Sequence, residues 1–146
     1  MSKNKREFLA KYIKKNSVWA VGKASVKEIE KMNILQASLL AMKRSIKKLK
    51  KKPKLVLIDG NKIPEIKNYK LKSIIKGDQK IASISAASII AKVSRDKMIF
   101  ALGKKFKGYD WDKNYGYGTK KHLKAIKNLG ITSHHRKTFS PINKIK

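Results

Sequence analysis

The chain has 146 residues, with 38 Lys and Arg against 9 Asp and Glu, so its formal net charge is +29. It contains no cysteine, which excludes a disulfide framework, a thiolate zinc site and a Cys nucleophile, and makes a reducing, cytoplasmic setting the expected one. No apolar run reaches the length of a membrane span, and the charged N-terminus lacks the apolar stretch of a secretory signal. At 41% hydrophobic the chain can build a core, and its length suits one domain, 1–146.

A field of this size attracts polyanions. Only Arg6, Arg44, Arg95 and Arg136 are arginine, and the excess of Lys, Ile and Asn is also what an A/T-rich coding bias produces. Charge alone therefore points to a nucleic acid partner without saying what is done to it.

In chain order, residues 4–15 read as a helix, with Phe8, Leu9, Tyr12 and Ile13 on one face. Ser17 to Ala24 is β-rich (Val18, Trp19, Val21) and predicts one strand. Ser25 and Glu28 form a capping-box pattern before a long apolar stripe from Ile29 to Leu49, with Asn33 as a candidate break and Pro53 as the stop. The basic stretch 47–54 is either a phosphate patch or a solvated helix end. Leu55 to Ile58 predicts a strand buried on both faces, ending in Asp59-Gly60-Asn61, the place where α/β folds put ligands.

Leu71 to Ile75 predicts another strand, ending at Lys76-Gly77-Asp78. Residues 84–103 predict a helix that is small and hydroxylic at its start (Ser85, Ala86, Ala87, Ser88) and bears Asp96 further along. Gly103 and Gly108 bracket a basic loop, and Asp110 to Gly118, with Tyr109 before it, is aromatic and glycine-rich. Thr119 caps a last helix over 120–129, stopped by Gly130. Alternating strands and helices make the chain α/β.

Among nine carboxylates, Asp59 at a strand end is conspicuous, although Asp-Gly is also an ordinary turn. Asp96 alone would serve as a helix-surface partner of Arg95 or Lys92. Together the two could flank a hard divalent cation. Asp78 reads as a turn residue. His134 and His135 are too few for a zinc site and read as exposed or phosphate-facing. Tyr115 and Tyr117 are candidate stacking platforms for a sugar or base, or plain loop packing.

In order along the chain stand Lys3-Asn4-Lys5-Arg6-Glu7, Asn33-Ile34-Leu35-Gln36-Ala37, Leu57-Ile58-Asp59-Gly60-Asn61 and Ile75-Lys76-Gly77-Asp78. Then come the block from Ser85-Ala86-Ala87-Ser88 to Ser94-Arg95-Asp96, Tyr115-Gly116-Tyr117-Gly118-Thr119, and His134-His135-Arg136-Lys137-Thr138-Phe139. This series resembles bacterial ribonuclease HII over essentially the whole chain. The resemblance implies an RNase H-like mixed sheet flanked by helices. It implies an endoribonuclease that hydrolyses the RNA strand of RNA–DNA hybrids, and single ribonucleotides in duplex DNA, leaving 5′-phosphate and 3′-hydroxyl ends by two-metal catalysis with Mg²⁺ or Mn²⁺. Carried over, Asp59 and Asp96 are catalytic metal ligands. Tyr117 packs on the nucleotide at the scissile junction, and Arg136, Lys76 and Asn61 contact substrate. A monomer is expected, with no membrane partner.

The family pattern opens with a strand bearing an Asp-Glu pair and Gly-Arg-Gly, and neither is present here. The resemblance therefore implies a chain truncated at its N-terminus, without the first two, central strands. The strand at Val18–Val21 should lack its neighbour, and Leu55–Ile58 should show an apolar edge with unpaired backbone. Two carboxylates do not hold two dications against their mutual repulsion, so the chain as it stands is expected to be inactive. The alternatives are a catalytically dead, basic nucleic-acid-binding protein, and a small ribosomal-type RNA binder that the ordered motifs argue against.

Overall fold

The computed structural model describes residues 1–144. Helix α1 spans Lys3–Asn16, and the Ser2 side chain caps it by accepting from the Lys5 backbone N–H. It packs along the longest helix, α5 (Ala82–Lys105). The face it turns inward is Arg6, Leu9, Ala10 and Ile13, of which Ala10 is fully buried. The expected stripe is thus rotated, because Phe8 and Tyr12 face solvent.

The strand expected at Val18–Val21 does not form; residues 17–25 are extended without a sheet partner. Val18 is exposed, and Lys14 lies 4.3 Å over the Trp19 ring. Two of its carbonyls are met by side chains instead of a ladder. Arg44 Nη1 donates to the Lys23 carbonyl at 2.8 Å, and Lys48 Nζ to the Val21 carbonyl at 3.4 Å. The segment lies so close to α3 (Ile34–Lys47) that a Cβ on Gly22 would sit 1.9 Å from the Ala41 carbonyl oxygen.

Helix α2 (Val26–Met32) starts with the full capping box of Ser25 and Glu28. Asn33 breaks the long stripe as anticipated: its φ of 74° turns the chain, and its side chain caps α3 by accepting from the Gln36 N–H. Across that corner Arg44 holds Glu28 with two charge-assisted bonds of 2.6 and 3.0 Å.

The sheet among the described residues has two parallel strands, β1 (Val56–Asp59) and β2 (Leu71–Ile74), with Ile58 opposite Ser73 and Asp59 opposite Ile74. The expected mixed sheet is therefore reduced to one parallel pair, and β1 has a strand partner on one side only, as expected. Only Ile58 of the apolar run is fully buried and Leu55 is half exposed, because a two-stranded sheet cannot be covered like a wide one. Ile58 joins Ile46 and Ile66 in a first core.

After the short α4 (Gly77–Lys80), α5 runs straight through Gly103, so the basic loop expected to begin there starts only after Lys105. Gly103 is a contact point: a Cβ on it would lie 2.6 Å from the Asp112 backbone nitrogen at α6 (Trp111–Asn114). A second core gathers Tyr109, Trp111 and Ile126. Ile126 comes from α7 (Lys120–Leu129), which Thr119 caps by accepting from the His122 N–H. His135 is also buried here, correcting its expected exposure. Its ring stacks on His122 at 5.5 Å, and its Nδ1 accepts from the Thr132 N–H at 2.9 Å. A turn of 3₁₀ helix (Ile142–Lys144) ends the described chain.

Candidate active site

Asp59 ends β1, and its exposed carboxylate is anchored by one oxygen, Oδ1, which accepts from the Gly77 N–H at 2.8 Å. Gly77 is buried and closely packed at this point. A Cβ on Gly77 would meet Ile84 Cδ1 at 2.6 Å. Lys76, just before it, is exposed and takes a left-handed backbone (φ 55°), while Asn61 is exposed beyond the strand end.

The second carboxylate comes from α5, which packs against β1. Ser85, Ser88, Ile89, Lys92 and Asp96 recur at spacings of three and four, which places them on one face of the helix. Arg6 from α1 meets that face. Its Nη2 lies 3.4 Å from Asp96 Oδ2, both side chains being about three-quarters buried (26% and 20% exposed). Asp96 is therefore paired across the helix interface, not with Arg95 or Lys92. Arg6, Asp78, Ser85, Ser88 and Lys92 line a cavity of about 220 Å³. Arg6 Nε is buried and unpartnered.

Tyr117 is strongly exposed, with the Arg95 guanidinium 5.5 Å from its ring centroid, so the aromatic loop sits beside the residue preceding Asp96. Arg136 is not gathered to this site by any hydrogen bond. Its guanidinium lies 4.0 Å over Phe139, and the next residue, Lys137, donates its N–H to Glu30 Oε1 on α2. Asn61 likewise has no bond tying it to Asp96. Arg6 and Lys92 were not singled out from the sequence as site residues. The signal available for Lys92 was its i, i+4 spacing to Asp96, whereas Arg6 is ninety residues away in sequence.

Carboxylate oxygens are the donors a hard divalent ion takes. The described residues nevertheless do not fit a two-ion centre. They bring no three Asp, Glu, His or Cys side chains together, one Asp59 oxygen is engaged by Gly77, and Asp96 faces a guanidinium.

A strongly basic α/β chain that sets one aspartate at a strand end and a second on the helix packed against that strand has the architecture of an RNase H-like nuclease. The ribonuclease HII family model matches residues 1–142, and the chain belongs to that family, which places it among ribonuclease H enzymes. It is 73% identical over 143 residues to ribonuclease HII of Pelagibacter ubique (strain HTCC1062), covering 98% of this chain and 77% of that protein. It is 46% identical over 143 residues to ribonuclease HII of Roseobacter denitrificans, covering 98% of this chain and 72% of the relative. Among solved structures, it is similar to the ribonuclease H2 from Pyrococcus horikoshii OT3, with a TM-score of 0.63 at 26% identity, over 83% of this chain and 64% of the other. The chain thus spans about three quarters of these bacterial relatives and under two thirds of the archaeal one. Among the described residues no helix is long and apolar enough to cross a membrane.

Proposed function

We propose that the chain carries the duplex-binding surface and half the acidic ligands of a ribonuclease HII. That enzyme hydrolyses the RNA strand of RNA–DNA hybrids and single ribonucleotides in duplex DNA, leaving 5′-phosphate and 3′-hydroxyl ends. The observation that supports this best is that Asp59 ends β1 and Asp96 lies on α5, the helix packed against that strand, in a chain of net charge +29. In this reading Asp59 and Asp96 are ligands for Mg²⁺ or Mn²⁺, completed by further carboxylates that the 146 residues do not supply. Asp59 and Asp96 would hold such an ion only with those further carboxylates in place, and the ion would then supply charge neutralisation at the scissile phosphate. The chain's own residues bind and orient: Tyr117 offers an exposed face for a nucleotide, and Lys76, Asn61 and Arg136 contact the backbone, which positions a duplex without reading its sequence. Residues 1–146 act as one domain and as a monomer in the reducing cytoplasm, and the completed enzyme removes ribonucleotides during DNA replication and repair.

A second reading, a basic nucleic-acid binder without catalysis, is favoured by the Arg6–Asp96 pair, which occupies a carboxylate the enzyme would need. The test is incubation of the chain with a duplex containing one ribonucleotide, in Mg²⁺ and then Mn²⁺. Under the first reading the chain alone binds without cutting, and supplying an in-frame Asp-Glu-x-Gly-Arg-Gly strand before Met1 produces cleavage that Asp59→Asn abolishes. Continued silence of that extended chain establishes the second.

A further inference from the structure

The loop that carries Tyr117 is held in an unfavourable conformation by two long cationic side chains. Tyr115 has a left-handed backbone at φ 52°, followed by Gly116 at φ 77°. A non-glycine residue in this region carries a cost of order 1 kcal/mol and persists where its surroundings enforce it. Here the enforcement is visible. Asn114 closes the turn locally, its Oδ1 accepting from the Gly116 N–H at 2.8 Å and its carbonyl from the Tyr117 N–H at 2.9 Å. Lys3 from α1 donates to the Tyr115 hydroxyl. Arg95 from α5 donates Nη1 to the Tyr115 carbonyl at 3.0 Å while its guanidinium stands 5.5 Å from the Tyr117 ring centroid. A Cβ on Gly116 would come within 3.7 Å of Arg95 Nη2, so the guanidinium also lies against the apex of the turn.

We propose that Arg95 is a positioning residue: it fastens the Tyr115–Tyr117 turn to α5 and presents the Tyr117 ring as a nucleotide-stacking platform beside Asp96. A guanidinium suits this double task. It donates in its plane to a carbonyl and stacks through its face on an aromatic ring, whereas an ammonium is a point charge that cannot do both at once. Arg95 and Asp96 are consecutive on one rigid helix, so the clamp fixes the distance between the platform and that carboxylate. The proposal rests on the reading of Tyr117 as a nucleotide contact.

The experiment uses the 146-residue chain and a short fluorescein-labelled RNA–DNA hybrid, with Arg95→Ala, Arg95→Lys, Tyr117→Ala and the double variant Arg95→Ala/Tyr117→Ala. Stacking of one base on an aromatic side chain is worth about 1–3 kcal/mol, so Tyr117→Ala is expected to weaken binding about tenfold. Arg95→Ala should do the same, and the double variant should be no more than about twofold weaker than either single one, because both remove one platform. Arg95→Lys keeps the charge, and with it the salt dependence, yet binds as weakly as Arg95→Ala. In both Arg95 variants the Tyr117 ring proton resonances move toward those of an unstructured tyrosine. Wild-type affinity in Arg95→Lys, or losses that multiply in the double variant, would make Arg95 a simple phosphate cation and overturn the clamp. If Tyr117→Ala leaves affinity unchanged, the nucleotide reading of Tyr117 fails, and the ring resonances alone decide the clamp: an unmoved ring in Arg95→Ala refutes it.

Discussion

Arg6 on α1 and Asp96 on α5 meet 3.4 Å apart in the interface between the two helices, each mostly withdrawn from water. The pair ties the N-terminal helix to the helix that bears one of the two candidate metal ligands. Hydrogen bonds to charged groups contribute about 1.5–3 kcal/mol, and the 3.4 Å separation argues for the low end. Arg6→Ala should therefore lower stability by about 1–2 kcal/mol, read from urea denaturation. Asp96→Asn keeps an acceptor and should cost less than half as much. No cost at all for Asp96→Asn would show that Arg6 acts through its packed stem alone.

The basic surface should bind an RNA–DNA hybrid with strong salt dependence, since neutralised phosphates release counterions. The expected result is a steep linear fall of log affinity with log salt, with no cleavage above background in Mg²⁺ or Mn²⁺. Asp59→Asn should leave this binding nearly unchanged, because a carboxylate contributes nothing to holding phosphates. A variant that bound several-fold less would mean that the Asp59 bond to Gly77 shapes the binding surface.

Arg44, through its hydrogen bonds, holds the Glu28 carboxyl down at about 2 from its ordinary 4.5. In that window the unfolded chain binds the proton more readily, so stability is fully present above about pH 5 and is lost as pH falls toward 2. Glu28→Gln should flatten the stability–pH curve between these limits. An unchanged slope from pH 5 to pH 2, measured by thermal melting, would contradict the pair.

His135 moves in the same direction for a different cause. Burial pushes its imidazole down to about 4 from an ordinary 6.5, with the neighbouring His122 and His134 adding to the effect. The folded state holds the ring neutral, so its contribution is complete above about pH 6.5 and disappears as pH falls through 4. His135→Asn should be less stable at pH 7 but less sensitive to acid over that range. Measuring both proteins in the Glu28→Gln background removes the overlapping carboxylate slope.

Gly22 and Gly103 are the two places where backbone meets backbone without room for a methyl group. Forced expansion of a packed contact costs about 1–3 kcal/mol. Gly22→Ala should reach the upper end, because its 1.9 Å contact is to a helix carbonyl that cannot rotate away, with Gly103→Ala somewhat less. Urea midpoints of the two variants check the order.

Much of this was legible from local chemistry. Ser25 with Glu28 specifies a capping box wherever it folds, Asn33 tolerates the left-handed turn that splits α2 from α3, and Thr119 and Gly130 bound α7 by their own side chain or lack of one. The ordered motif blocks likewise named Asp59, Asp96 and Tyr117. What local chemistry could not supply was anything set by a partner distant in sequence. Val18 to Val21 has strand composition, but β propensity expresses itself only when another strand lies alongside, and here α3 takes that place with Arg44 and Lys48. The rotation of α1 that brings Arg6 inward and leaves Phe8 in water is decided by the shape of α5, not by the helix's own stripe. His135 reads as a surface residue beside Arg136, and only the packing of Tyr109, Trp111 and His122 around it removes it from water. The sequence alone thus determined the caps that open α2, α3 and α7, because a cap depends on neighbours within a few positions. Which cation answers Asp96, and which side chains face each other across the site, was decided by tertiary structure, because both are contacts between segments that only folding brings together.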